Sequence, residues 1–312
     1  MRVRIGPLAV IWAEHDAILR PMTGISLALV VVSALAHSSW NFLLKRSQDQ
    51  EAFLWCLLVA TTVLLAPLGV ILFWKFPFGI HGWLLVAATV ALHTIYFVLL
   101  GRAYAAGDLS LVYPIARGTG PLLVPILAVV LLGETIAIPA ILGIASVIIG
   151  IYTLSLWGHF RELAGNPTTI ISNPGTRYAV ITGLTIACYA IVDKLGVGQV
   201  QPFLYMYLMT LGSAVFVCPY ILATKGLHVV RLEWRLNARA VIVAGLLTFL
   251  AYGLVLTALS ISRVSYVAPA REVGIVIGVF MGIVFLKEPF GNGRLLGSGI
   301  IVAGLAMIAL SP

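Results

Sequence analysis

The sequence predicts an all-α membrane protein with ten transmembrane helices, arranged as two inverted five-helix repeats. Three observations carry that prediction. Hydrophobic residues make up 61% of the 312 residues and charged ones only 10%. Apolar runs of bilayer-spanning length recur along the chain. Scarce charged residues of the first half reappear in register in the second.

A soluble domain carries about 25% charged residues. With far fewer, this chain cannot cover a water-exposed surface, so soluble enzymes and soluble binding modules are excluded. Lipid offers the backbone no hydrogen bonds, so spans must be helices or a closed barrel. A barrel would alternate apolar and polar residues in short segments, whereas these runs are apolar on all sides. The net charge of +8 contains no basic run interleaved with aromatics, so no nucleic-acid partner is expected. Cys56, Cys188 and Cys218 each lie in apolar sequence without a partner at ligand spacing, and read as small buried hydrophobes.

The elements follow in order. Residues 1–21 form a polar N-terminal extension, interrupted by Glu14, His15 and Asp16, and are consistent with an alternative translation start. Spans are placed at 25–44, 53–73, 83–105, 109–132 and 137–157 in a first repeat (22–157). A second set lies at 178–194, 203–223, 239–260, 264–285 and 295–311 in a second repeat (178–312). Each approaches the ~17–25 residues that a bilayer core requires. Trp74, Phe76, Phe78 and Trp83 bracket one loop as interfacial aromatics. The linker, 158–177, contains Asn166-Pro167 and Asn173-Pro174-Gly175, dipeptides that break helices.

A shift of 154 residues lays Arg117 on Arg271, Gly120 on Gly274, Glu134 on Glu288, Gly143 on Gly297 and Gly150 on Gly304. A shift of 149 lays Trp40 on Tyr189 and Lys45 on Lys194. Five spans per half oblige the second half to enter from the opposite face. That is the inverted-repeat plan of many secondary transporters, with the substrate site between the repeats.

Ionisable groups inside spans are costly and mark function. Arg117 and Arg271 sit at equivalent depths of the fourth and ninth spans. A guanidinium never loses its proton and grips carboxylate or phosphate with two parallel hydrogen bonds. The alternative is a structural tie, Arg117 to backbone carbonyls or Arg271 to Glu272 or another carboxylate. Glu272 reads as the sole carboxylate well inside a span, and so as the candidate for proton coupling. Asp193 and Lys194 read as an interface pair at a helix end. His37, Trp40 and Asn41 close the first span. His93 and Tyr96 lie one turn apart in the third, Tyr113 opens the fourth, and Tyr189 and Tyr252 occupy corresponding helices of the second half. Aromatics with polar tips suit the wall of a solute cavity, and they equally suit packing between helices. Pro114, Gly118, Gly120, Pro121 and Pro125 predict a kinked or broken fourth span. Gly274, Gly278 and Gly282 predict a close-packing face on the ninth.

No H-E-x-x-H, G-x-S-x-G, P-loop or Asp-rich metal motif is present, so the chain reads as no enzyme and needs no cofactor or metal.

The segment from Gly107-Asp108-Leu109-Ser110 through Tyr113-Pro114-Ile115-Ala116-Arg117 to Leu132-Gly133-Glu134 resembles the EamA-type transporters of the drug/metabolite transporter superfamily. Its counterpart from Val264-Ser265-Tyr266 to Leu286-Lys287-Glu288 and the run His37-Ser38-Ser39-Trp40-Asn41 share the resemblance. It covers residues 22–312. It implies two inverted repeats around a central cavity, and export of small organic metabolites. The family's small multidrug members carry a first-helix carboxylate for cationic drugs, which this chain lacks. Glu134 and Glu288, each at a helix turn, read as caps for the helix that follows.

The expectation is therefore a multi-pass secondary transporter of the inner (cytoplasmic) membrane. Its solutes are amino-acid-like or other carboxylate-bearing or anionic molecules, its partners are that small-molecule substrate and membrane lipid, and homo-oligomerisation is left open. The alternatives are a flippase for lipid-linked solutes and a non-transporting membrane subunit. Lys and Arg outnumber on the face opposite the termini, which places both termini outside, whereas the resemblance implies both inside.

Overall fold

The computed structural model describes residues 21–106, 109–157, 173–286 and 291–312. Within them the chain forms helices: α1 (Gly24–Lys45), α2 (Gln50–Leu64), α3 (Ala66–Lys75), α4 (Ile80–Ala106), α5 (Leu109–Leu132), α6 (Ile138–Leu156), α7 (Pro174–Gly196), α8 (Pro202–Thr224), α9 (Gly226–Ile261), α10 (Val264–Ala270), α11 (Val273–Leu286) and α12 (Asn292–Ala309). Among the described residues nine crossings are long and apolar enough to span a bilayer, and α2 with α3, bent by 57°, makes a tenth if counted as one span. Large apolar side chains such as Trp74, Val130, Ile138, Phe216 and Phe280 are exposed over the outside. Exposed apolar surface on this scale is that of a protein solvated by lipid.

The ten predicted spans all appear, but three differ in form. The second bends at Leu65, where Pro67 in the first turn of α3 lacks an N–H and starts a new helix. The eighth begins thirteen residues before its predicted start at 239, and α9 carries a kink at Asn237 (φ −125°, ψ 17°). The ninth is broken between α10 and α11. The fourth, expected to break, runs as one helix, α5, through Pro121 and Pro125.

The predicted linker is shorter at its end than expected. Asn173 caps α7, its Oδ1 accepting from the Gly175 amide at 2.7 Å, and Pro174 occupies the first turn. The Asn-Pro-Gly run thus starts a helix, because a cap residue followed by proline is a helix entry as much as a breaker. The N-terminal extension, apart from Pro21, and residues 158–172 of the linker lie outside the described residues.

Helices pair across the two halves. α1 lies on α9 and α11, α7 on α4 and α5, α2 on α8 and α9, α8 on α4, α6 on α12, and α5 on α10. Exchanging each first-half span for its second-half counterpart leaves this set of pairings unchanged. The tightest pair is α6 with α12. A Cβ on Gly143 would stand 2.6 Å from the Gly304 carbonyl oxygen, and one on Gly150 would stand 2.8 Å from that of Gly297. Only glycine permits backbones so close. These four glycines are the ones that the repeat matched in pairs.

One end of the bundle is tied by polar side chains. Gly133, at φ 67°, ends α5 and turns Glu134 away. The buried Glu134 carboxylate accepts from the Val264 and Ser265 amides at 2.9 and 3.1 Å and from the Ser265 hydroxyl. Glu134 does cap a helix, but the helix is α10 of the other half and not the one that follows. Glu288 lies outside the described residues. Lys194 is buried, and its ammonium donates to the Leu259 and Ser262 carbonyls at the end of α9, both at 2.7 Å. Asp193 points elsewhere, so the expected Asp193–Lys194 interface pair does not form.

The opposite end is held in a loop. The Glu233 carboxylate is buried and accepts from the Gln48 and Asp49 amides and from Asn237. Lys225 reaches Asp49 at 2.9 Å and Glu51 at 3.4 Å. Partial burial works to raise the Asp49 carboxyl, but hydrogen bonds from the Ala52 amide and Lys225 outweigh it and hold it below the usual carboxylate range. The hydrogen bond to Asp49 raises Lys225 above its ordinary value.

Candidate functional site

The break in the ninth span organises the site. Pro269 cannot donate to a carbonyl one turn back. The backbone then tightens, with Glu272 N bonding Pro269 O, Gly274 N bonding Arg271 O and Ile275 N bonding Glu272 O, each three residues apart. Arg271 and Glu272 therefore sit between two half-helices rather than on a helix face. The signal was present in the sequence as Pro269 followed by Gly274, but the proline-richer fourth span drew the prediction. The predicted glycine face does meet α1: a Cβ on Gly274 would stand 3.7 Å from Ala34 Cβ and one on Gly278 3.9 Å from Ser38 Oγ, ordinary contact distances. Ser38 Oγ also donates to the Gly274 carbonyl at 2.9 Å, tying α1 to the start of α11.

Arg117 on α5 faces Glu272, Nη2 to Oε2 at 3.0 Å, with the carboxylate side chain 8% exposed. Glu272 Oε2 makes no aligned hydrogen bond, so the contact is one of charge. The structural-tie alternative for Arg117 thus takes a form the sequence reading did not name, a pair with Glu272 across the two halves. Among the described residues no ion pair involves Arg271. Its guanidinium carbon lies 5.1 Å from the centroid of the Tyr252 ring.

Both arginines line one pocket, together with His37, Ser33, Tyr252 and apolar residues of α1 and α9. In this conformation it has room for water rather than for an organic solute. The indole N–H of Trp40 donates to His37 Nδ1 at 3.3 Å. An indole only donates, so Nδ1 bears the lone pair, and the proton of the neutral ring is on Nε2. Trp40 thus orients His37. Asn41 donates to the His37 carbonyl one turn back and is absent from the pocket lining.

A second cluster adjoins this pocket through Tyr252. His93 stacks on Tyr189 with ring centroids 4.3 Å apart and meets Tyr252 edge-on at 5.7 Å. Tyr96 meets Tyr189 edge-on at 5.9 Å. The four aromatics singled out on the third, sixth and eighth spans thus come together. Tyr113 lies on α5, but its side chain is outside the described residues.

Behind them is a residue whose partners the sequence reading misassigned. Asp193 is wholly buried and accepts from Thr89 Oγ1 at 2.6 Å, from the Tyr205 hydroxyl at 3.0 Å and from the Tyr252 hydroxyl. Asp193 is thus a second buried carboxylate, at the end of a span rather than well inside it as Glu272 is. Position 193 does lie in the last turn of α7, at the helix end where the sequence placed it, but its partners are hydroxyls of α4, α8 and α9 and not Lys194.

Fold and site together define a polytopic α-helical membrane protein with a polar pocket at a discontinuous span, built from both halves of the chain. The EamA-like transporter family model matches residues 173–310, which are α7 to α12. This agrees with the resemblance drawn from the motif residues. A solved structure described only as the crystal structure of a protein superposes with a TM-score of 0.71, at 14% identity, over 91% of this chain and 96% of its own. That likeness is one of fold. No curated protein matches the sequence.

Proposed function

We propose that the protein is a secondary transporter, exporting small metabolites that carry a carboxylate or phosphate across the cytoplasmic membrane by alternating access of two inverted repeats. The observation that carries this reading is the charge balance of the pocket. Glu272 offsets Arg117, while Arg271 faces the pocket at the head of α11, whose N-terminal dipole also favours an anion. Arg271 is the anion ligand, His37 Nε2 a second donor, and Tyr252 and Tyr189 the aromatic wall. The Arg117–Glu272 pair is the gate: it ties α5 to the broken span in this closed conformation and must part for a solute to enter.

Binding and stability of purified Arg271→Gln test the proposal, with a panel of labelled carboxylates and phosphates as probes. The variant keeps its melting temperature and loses about 1.5–3 kcal/mol of affinity, the worth of a hydrogen bond to a charged group. That is roughly 10- to 150-fold in affinity. Unchanged affinity across the panel removes Arg271 from the site.

A further inference from the structure

We propose that Asp193, linked through Thr89 to His93, is the proton-binding site of this protein, and that Tyr252 passes its protonation state to the anion pocket. The second clause rests on the function proposed above. The first stands without it.

A carboxylate in a membrane span needs a reason to be there. Asp193 has three hydroxyl donors, from Thr89 on α4, Tyr205 on α8 and Tyr252 on α9, and no ion pair among the described residues. The kind of partner decides what such a group can do. Glu272 faces a guanidinium, which only donates, so a proton on Glu272 would oppose the contact that holds it. A hydroxyl both donates and accepts. A proton on Asp193 is accommodated when one hydroxyl rotates, accepting from the new carboxyl O–H and turning its own hydrogen elsewhere. The shell serves both protonation states with the same atoms.

The shell also has an entry. His93 Nδ1 lies 3.0 Å from the Thr89 carbonyl oxygen and 3.0 Å from Thr89 Oγ1. The carbonyl only accepts, so Nδ1 carries a hydrogen. Thr89 Oγ1 then accepts from the imidazole while donating to Asp193 Oδ1. A proton arriving at His93 Nε2 releases the one on Nδ1 to Thr89 Oγ1, whose own hydrogen moves to Asp193. The ring returns to neutral with its hydrogen on the other nitrogen. One proton enters and one carboxyl O–H forms, while His93 exchanges its Nδ1–H bond for an Nε2–H bond and Thr89 gives up one hydrogen and takes another.

The remaining ionisable groups around Asp193 are engaged in ways that leave this path alone. On α7, Lys194 is turned to the end of α9, and Tyr189 stacks on His93. On α5, Arg117 faces Glu272. On α10, the Tyr266 hydroxyl donates to the Pro312 carbonyl. Arg271, at the break, lies against the Tyr252 ring. Tyr252 is the shared member, donating to Asp193 and lining the pocket with Arg271. A proton on Oδ1 removes the charge that strengthens the Tyr252 bond to Oδ2, so that hydroxyl turns more readily to an anion beside Arg271, and proton and anion binding reinforce one another. The same step loosens the tie from α7 to α9, two helices of the second half.

The test reads protonation directly. Infrared difference spectra of the purified protein in liposomes are recorded on acidification, without solute, for wild type, Asp193→Asn and Glu272→Gln. One carboxylic-acid band of the wild type is missing from Asp193→Asn and retained in Glu272→Gln. The full set of bands in Asp193→Asn, or the loss of one in Glu272→Gln, overturns the assignment. Should Asp193→Asn not fold, Asp193→Glu keeps the acid and moves it by one methylene. One band then shifts in frequency, and an unshifted spectrum overturns the proposal. Because no solute is present, this outcome is independent of the Arg271 binding test. The coupling clause is read separately, as an anion affinity that rises on acidification in wild type and is flat with pH in Tyr252→Phe. A slope retained in Tyr252→Phe overturns that clause alone.

Discussion

The α6–α12 pair and the contact of α5 with the broken ninth span both join the first half of the chain to the second, and they do so with opposite chemistry. The α6–α12 seam is made of four glycines with backbone against backbone. It holds by shape, and any added atom meets a main chain that cannot retreat. The α5 contact is made of one buried charge pair beside a pocket, at a place where the helix is interrupted. It holds by electrostatics, at a desolvation cost that is offset only while the partners stay together. The first region suits an element that moves as a unit. The second suits one that opens.

This contrast predicts different responses to mutation. The largest expected effect is at the charge pair. Arg117→Gln leaves Glu272 buried and unpaired, and should cost about 3–5 kcal/mol of stability, while replacing both residues by apolar ones of similar volume should recover most of it. Thermal melting of the two variants in detergent decides this. A single variant as stable as wild type would mean that water already reaches the pair.

The seam comes next. Gly304→Val places a Cβ 2.6 Å from the Gly143 carbonyl oxygen and 2.9 Å from the Val147 amide nitrogen. Overpacking of this kind costs about 1–3 kcal/mol, read as a fall in melting temperature. Gly274→Ala sharpens the comparison, because its nearest neighbour would be Ala34 Cβ at 3.7 Å. There the melting temperature should hold or rise, since alanine is the better helix former by up to ~1 kcal/mol. A large loss at Gly274 would erase the distinction between the two regions.

The smallest expected effect lies in the half-buried loop clamp. Asp49 is held below its ordinary value, so its contribution is present above about pH 4, the unfolded carboxyl value, and is lost as pH falls through the folded one. Lys225 is raised, so its contribution is present below about pH 10 and is lost as pH climbs through its folded value. The pair is largely solvated and worth little. Asp49→Asn should flatten the acid side of a stability–pH curve slightly and, by removing the hydrogen bond that raises Lys225, the alkaline side as well.

Much of the fold was legible in the sequence. Lipid forces each span to satisfy its own backbone, so a run of some twenty apolar residues suffices to mark a crossing, and all ten runs became helices. The proposed repeat register rested on the rarity of arginines and glutamates, and two of its matched glycine pairs meet at the α6–α12 seam. Part of the site could be read the same way: Arg117, Arg271, His37 and Tyr252 line one pocket, and His93, Tyr96, Tyr189 and Tyr252 cluster. Local sequence did not reveal who pairs with whom. The partner of Arg117 is 155 positions away, Glu134 caps a helix 130 positions on, and Asp193 takes a hydroxyl from Thr89 104 positions before it.

Chain-local rules reach three or four residues along a helix, so they established where the helices are and which residues face a costly environment. The partners of those residues were decided only when helices from the two halves packed. Arg117, Glu134 and Asp193 then took the donors or acceptors that helices of the other half brought to about 3 Å, since lipid supplies no other.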